Sequence, residues 1–413
     1  MLRQARFRDS RRAGDPTQRR SESGGWRRRL EAIAFLWRWL RSERLTRHRG
    51  QWVINSFLPP FPGRGYDRIF ENLLPGNQFR PHSTFLALTS DCPADCSYCS
   101  AKNRRAGAQL DRAEWLDVIE QVHRLRPSLI GLTGGEPLVR EDLPDLVRPA
   151  YEGGAEVVLF TSGLGATQAR LDGLRNAGLW AVGVSLDHTN REVVNRTCRT
   201  PAAFDAALAA LEMARRAGLY TFISAVPDRR AVLAGEHRRL YGLARRLGID
   251  ELRLTEPMPC GRLALDGHER LLGPRQVAEL RRFHREMNHH AQGPKVCASN
   301  QVESPEFIGC VAGTFHLYVD ASGEVCPCDF TPLSFGSVRA ESLEVIWRRM
   351  TRAMHLPRRR CFIQANAALI RRHAEGHEFP LLQEVSRRIA AEAPQEPLPD
   401  YFRLVSRPFE CPY

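Results

Sequence analysis

From residue 83 onward, short apolar runs alternate with stretches in which apolar residues recur at three- and four-residue steps. The runs predict strands at Ser83–Thr89, Leu129–Thr133, Glu156–Phe160, Ala181–Leu186, Tyr220–Val226 and Glu251–Leu254. The stretches between them predict helices near residues 112–125, 141–151, 166–177, 202–217 and 231–247. Such alternation implies an α/β fold of parallel strands joined by right-handed crossovers, with functional residues gathered at the C-terminal strand ends. No internal repeat of domain-building length is evident.

Before residue 83 the pattern changes. Residues 1–25 are rich in Arg, Ser, Gly and Asp and poor in large apolar groups, so they are expected to be disordered. From Trp26 to Arg47, the residues Trp26, Leu30, Ile33, Trp37 and Leu40 fall on one stripe, with Arg27, Arg28, Arg38 and Arg41 off it. This predicts a basic amphipathic helix, which either packs on the main domain or lies on a membrane surface. The run Leu58-Pro59-Pro60-Phe61-Pro62-Gly63 forms a turn-rich connector.

Charge and cysteine content narrow the chemistry. The net charge of +13 resembles a nucleic-acid signature until mapped: residues 1–50 hold fifteen arginines against five acids, and the rest is near balance. No apolar stretch is long enough for a transmembrane span, and no secretory leader is apparent, so a cytoplasmic location is expected, with peripheral attachment to the inner membrane face as the variant. Eleven cysteines in such a chain point to metal or redox chemistry rather than to a disulfide framework.

The first predicted strand runs into Thr89-Ser90-Asp91-Cys92-Pro93-Ala94-Asp95-Cys96-Ser97-Tyr98-Cys99, a Cys-x3-Cys-x2-Cys spacing. Thiolates this close on one loop can converge on a single metal site, and three ligands on a four-iron cube leave one iron open for a substrate. A zinc site with a distant fourth cysteine is the alternative. Gly134-Gly135-Glu136-Pro137 follows the second strand, Phe160-Thr161-Ser162-Gly163 ends the third, and Val184-Ser185-Leu186-Asp187 ends the fourth.

These motifs resemble the radical S-adenosylmethionine (SAM) superfamily over residues 83 to 262. The resemblance implies a partial (β/α)6 TIM-type barrel in which Cys92, Cys96 and Cys99 hold a catalytic [4Fe-4S] cluster. It also implies SAM contacts from Tyr98, the backbone of Gly134, Gly135, Glu136 and Pro137, and Ser162 and Ser185, the two glycines permitting close approach. Arg199 is the candidate partner of the SAM carboxylate, with Arg196 and plain solvent exposure as alternatives. Glu256-Pro257 would line the adenine or substrate side.

A second cysteine group comprises Cys297, Cys310, Cys326, Cys328 and Cys361. Its spacing around Gly323, followed by Phe335-Gly336-Ser337-Val338, resembles the SPASM/twitch extension of radical SAM enzymes. That implies a small C-terminal cysteine-rich domain with one auxiliary [4Fe-4S] cluster. Cys310 and Cys328 are the better-placed ligands, Cys297 and Cys361 complete the set, and Cys326 competes for either place; zinc or buried thiols are the alternatives. Cys198 and Cys260 read as small buried hydrophobes, and Cys411 as incidental.

The resulting organisation is a basic extension (1–82), a radical SAM core (83–290), an auxiliary cluster domain (291–365) and a helical tail (366–413). The expected activity is reductive SAM cleavage followed by hydrogen abstraction, an oxidoreductase or maturase reaction supplied with electrons by a flavodoxin or ferredoxin. Peptides, or a lipid or isoprenoid at an anionic membrane, are the substrate candidates. The alternatives are an RNA-modifying radical SAM enzyme and a non-enzymatic iron–sulfur or zinc protein; nucleic acid is not the expected partner.

Overall fold

The structure, a computed structural model, describes residues 30–405 apart from 74–79, 103, 105–106, 267–268 and 376. The expected disorder of 1–25, the residues Trp26 to Arg28 and Cys411 lie outside that range. Eleven strands are present among the described residues: β1 Thr46–His48, β2 Gln51–Val53, β3 Ser83–Ala87, β4 Leu129–Thr133, β5 Glu156–Thr161, β6 Leu179–Ser185, β7 Tyr220–Ala225, β8 Glu251–Leu254, β9 Lys295–Ala298, β10 His316–Val319 and β11 Val325–Cys326. β1 and β2 form a hairpin, and the other nine form one sheet in the order β11-β10-β3-β4-β5-β6-β7-β8-β9. Every neighbouring pair in it is parallel except β10 with β11.

All six expected strands and the five helical stretches between them exist, because alternating apolar runs and amphipathic helices are strong local signals. Helix starts carry the expected chemistry: Asp111 and Glu114 form a capping box at Arg112–Leu125, and Thr167, Asn190 and Asp228 cap later helices. The outward-facing residues of the strands, such as Leu86, Leu132, Val157, Leu159, Val182 and Leu252, pack beneath the helices in one continuous core.

The sheet is wider than expected. β9 extends it beyond β8, pairing Cys297 with Arg253, and β10 pairs in parallel with β3. The expected boundary between residues 290 and 291 therefore falls just before a core strand, since Lys295-Val296-Cys297-Ala298 completes the sheet rather than opening a separate unit. Beyond it, Phe335, Leu343, Ile346, Trp347, Phe362, Ile370, Leu381 and Ile389 pack as an extension of the same core.

The N-terminal ends of the strands are plugged. Val53 is fully buried against Leu129, Val158, Trp180, Ala181, Tyr220 and Phe222. Glu251, at the start of β8, accepts hydrogen bonds from Ser56 N (2.9 Å), Ser56 Oγ (2.5 Å) and Tyr220 OH (2.8 Å). Lys295 Nζ donates to the Val53 carbonyl at 2.8 Å. Glu251 and Lys295 are thus hydrogen-bonded, as burial of a charge requires.

The N-terminal helix ends earlier than its periodicity suggested and presents the other side to the protein. Among the described residues it covers 30–42, ending where Ser42 Oγ donates to the Trp39 carbonyl, just before β1. Phe35 is buried between Phe307 and Tyr401, each 5.9 Å away, and Arg38 pairs with Asp400 at 3.4 Å. The stripe of Leu30, Ile33, Trp37 and Leu40, with Leu36, faces outward at 49–61% exposure. Arg41 stacks on Trp37 at 4.3 Å.

Candidate functional site

The loop after β3 is fastened at both ends. At its start, Gln109 Oε1 accepts from Thr89 Oγ1 and Ser90 N, each at 2.9 Å, and Gln109 Nε2 donates to Asp91 at 3.1 Å. Gly135 N donates to Thr89 O (2.6 Å) and Glu136 N to Asp91 O (2.8 Å), so the glycine motif after β4 lies directly on the cysteine loop. At its far end, Asp95 N and Ser97 N donate to the Cys198 and Thr197 carbonyls at 3.0 and 2.9 Å. Arg262 Nη1 donates to the Asp95 and Cys96 carbonyls, both at 2.9 Å, its other nitrogen pairs with Asp95, and its amide donates to Cys99 O at 3.1 Å.

Cys92, Cys96 and Cys99 act electrostatically on one another. Burial pushes the Cys92 and Cys99 thiols up, while the Ala94 amide, and the Ala101 and Lys102 amides, hydrogen-bond the respective sulfurs and favour thiolate. Cys96 is raised first by a hydrogen bond with Cys198 and then by burial. Cys198, expected to be an isolated apolar filler, is therefore beside the middle cysteine of the loop. These thiols suit iron–sulfur ligation: soft donors with amides aimed at sulfur, protonated until metal displaces the proton. Among the described residues no three His, Cys, Asp or Glu groups are gathered to chelate a single metal ion.

The expected SAM contacts cluster around this loop, several with their polar atoms already engaged. Glu136 is fully buried; its carboxylate accepts from Thr161 Oγ1 (2.6 Å), Leu138 N (3.0 Å), Ser162 N (2.7 Å) and Ser162 Oγ (2.5 Å). Four donors fill its lone pairs, so Glu136 and Ser162 brace each other. Pro137 opens the short 3-10 turn Pro137–Val139 that Glu136 caps. A Cβ on Gly134 or Gly135 would overlap the carbonyl oxygen of Thr89 or Asp91, and Gly134 has φ +141°. The close approach these glycines permit is that of the cysteine loop itself.

Tyr98 OH donates to Asp187, whose other oxygen accepts from Val226 N at 2.7 Å; burial pushes Asp187 up to about 6. Ser185 is exposed at the end of β6. Arg199, at φ +51°, caps the helix Arg191–Cys198 and pairs with Asp95 at 2.8 Å, with its side chain 60% exposed. It braces the outside of the cysteine loop.

The second cysteine group divides. Cys361 donates to Cys310, which lowers Cys310 to about 7 and raises Cys361, and Cys328 acts on both. Cys310 is anchored by paired backbone bonds with Arg358 (2.7 and 2.9 Å), and Cys328 Sγ contacts Thr331 Oγ1 at 3.0 Å. Cys297 is instead buried in β9 with Glu251, Arg253, Lys295 and Glu43 acting on it. Cys326, buried in β11, contacts Arg104 at 3.8 Å. The structure thus brings together Cys310, Cys328 and Cys361 and sets Cys297 and Cys326 in strands, where their side chains meet other partners.

One segment ties both groups together. After β8, Glu256 accepts from Gln364 at 3.0 Å, Met258 Sδ lies 4.0 Å from Cys361 Sγ, and Arg262 grips the first cysteine loop. Arg262, Gln109 and Cys198 were missed from sequence because their proximity is tertiary.

Residues 86–238 match the model of the radical SAM superfamily, and residues 310–368 match that of SPASM, an iron-sulfur cluster-binding domain. The AdoMet-dependent heme synthase of Methanosarcina barkeri is 27% identical over 281 residues, which are 63% of this chain and 80% of that protein. Among solved structures, Streptococcus suis SuiB bound to precursor peptide SuiA aligns with a TM-score of 0.54 at 14% identity, covering 69% of this chain and 67% of SuiB. SuiB bound to S-adenosylmethionine covers 65% and 66%, about two thirds of SuiB's length. His-tagged anSMEcpe with bound AdoMet aligns at 0.54 and 16% identity, covering 78% and 91%. At these identities the structural likeness establishes the fold.

Proposed function

The chain belongs to the radical SAM superfamily and carries a SPASM domain after its core, and from that premise we propose that it abstracts a hydrogen atom from a substrate held between its two cysteine groups. The observation that carries this reading is the fastening of both groups to one end of the barrel by residues 256–262. A [4Fe-4S] cluster and SAM supply one-electron cleavage of a carbon–sulfur bond and a hydrogen-abstracting radical. The protein's share is placement. Cys92, Cys96 and Cys99 would hold the cluster, the carbonyls around Gly134 and Gly135 would accept from the SAM amino group, and Ser185 would bind its polar edge. Arg262, Gln109 and Glu136 keep that geometry fixed. Cys310, Cys328 and Cys361 hold the auxiliary cluster, and a flavodoxin or ferredoxin supplies electrons.

For the substrate, two supports differ. SuiB binds a precursor peptide, which favours a peptide. The outward apolar face of helix 30–42, next to an arginine-rich segment, favours a lipid or isoprenoid reached at an anionic membrane. Among the described residues no helix is long and apolar enough to cross a membrane. The membrane reading follows the feature specific to this chain, and we adopt it.

Anaerobically loaded protein with dithionite is expected to convert SAM to 5'-deoxyadenosine and methionine, and Cys96→Ala to abolish this. Absence of cleavage in iron-replete wild type refutes the reading. Sedimentation with anionic liposomes at low salt, weakened by high salt and by Trp37→Glu, tests the membrane component. No binding to anionic liposomes at low salt discards the membrane reading and returns peptides to first place.

A further inference from the structure

Arg253, the third residue of β8, is directed into the barrel and is 6% exposed. Its guanidinium lies over the Phe57 ring at 3.5 Å, with Phe160 and Phe222 at 5.2 and 5.8 Å. Among the described residues no hydrogen bond or ion pair engages it, in contrast to its neighbours: Glu251 accepts three hydrogen bonds, and Lys295 donates to Val53. A largely buried cation with five N–H donors and aromatic walls is unfavourable unless water or another acceptor satisfies those donors.

The surroundings define that acceptor. Cys297, Glu251, Glu303 and Asp329 act on Arg253 electrostatically without pairing with it. Burial pushes Glu303 up to about 8, so near neutrality it is largely an uncharged acid able to donate a hydrogen bond. Asp329 is itself 3.8 Å from His316. A guanidinium stacked on Phe57 presents its flat fork to a planar two-oxygen group. The nearby acids disfavour a dianion. Resting on the reading that the substrate enters this barrel, we propose that Arg253 is the binding residue for a carboxylate on the substrate, fixing the substrate's depth below the first cysteine loop.

The test uses the full-length, cluster-loaded protein, with propionate as the carboxylate probe and propionamide as its uncharged isostere. Propionate is expected to raise the Tm of the wild type more than propionamide does, and Arg253→Met to remove that difference while Arg253→Lys keeps part of it. Because the variant replaces an unpaired buried charge by an apolar side chain that still covers Phe57, its own Tm is expected to rise by about 2 °C or more. Three results overturn the assignment: propionate acting equally on wild type and Arg253→Met; a fall in Tm for Arg253→Met with none for Arg253→Lys, the mark of a structural cation; or weakened SAM binding in Arg253→Met, which would assign the fork to SAM. None of these readouts depends on SAM cleavage, so a wild type that fails to cleave SAM refutes the broader reading separately.

Discussion

Replacing Gly135 by alanine tests whether the glycine motif serves the cysteine loop before it serves any ligand. The added Cβ would overlap the Asp91 carbonyl oxygen and lie 2.7 and 2.8 Å from Asp91 C and Ser90 C. These atoms are backbone, so a rotamer change cannot relieve the overlap; the loop must retreat by roughly 1 Å. That retreat lengthens the bonds from Gly135 N to Thr89 O and from Glu136 N to Asp91 O, now 2.6 and 2.8 Å. Overpacking of this kind is worth about 1–3 kcal/mol and each lost hydrogen bond about 1 kcal/mol, so a loss of about 3–5 kcal/mol is expected. It should be accompanied by reduced iron at the first site. Urea unfolding and iron analysis of anaerobically prepared protein measure both. Gly173→Ala is the control: nothing stands within 4 Å of its Cβ in the helix Gln168–Asn176, so stability should hold or rise by up to about 1 kcal/mol. A Gly135→Ala protein with unchanged stability and full iron, impaired only in SAM binding, would refute the reasoning.

Three further outcomes are expected. Cys310→Ala or Cys361→Ala should remove about four irons, the content of one cubane, whereas Cys297→Ala and Cys326→Ala should keep them, as iron analysis would report. Arg262→Ala should lower iron occupancy at the first site while leaving the far-ultraviolet circular dichroism unchanged, because three side-chain contacts to the loop are lost without disturbing the sheet. His82, which approaches the Phe57 carbonyl at 3.4 Å, is lowered by burial to about 4 from an ordinary 6.5. The unfolded chain therefore takes up the proton first as the pH falls, so this stability is present above about 6.5 and is lost toward 4. At pH 5.5 the loss is about 1.4 kcal/mol, and His82→Gln should show a correspondingly shallower fall in unfolding free energy between pH 7.5 and 5.5.

The barrel was legible because β3 to β8 are runs of four to seven residues, largely apolar and separated by capped amphipathic helices. β9 was not: Lys295 and Cys297 are its inward-facing half, which in a four-residue strand leaves only Val296 and Ala298 as an apolar signal. Missing that strand made Cys297 look like a loop ligand. Local order likewise revealed the N-terminal helix but not its orientation, since Phe35 alone, off the stripe, finds Phe307 and Tyr401. The cysteine spacing and the glycine motif were readable as chemistry. Their fastenings by Gln109, Cys198 and Arg262 come from distant positions and have no local pattern.

The plug formed by Val53, Ser56 and Phe57 covers the barrel at the N-terminal ends of its strands, the end away from the cysteine loop. A substrate that reached the depth of Arg253 past the cysteine loop would be covered by whatever bound across the loop end afterwards. Traffic by that route would be ordered, last in and first out. A substrate seated at that depth would enter before the loop end is covered, and its product would wait for the later arrival to depart, so that turnover would depend on the rim as much as on the bond being broken.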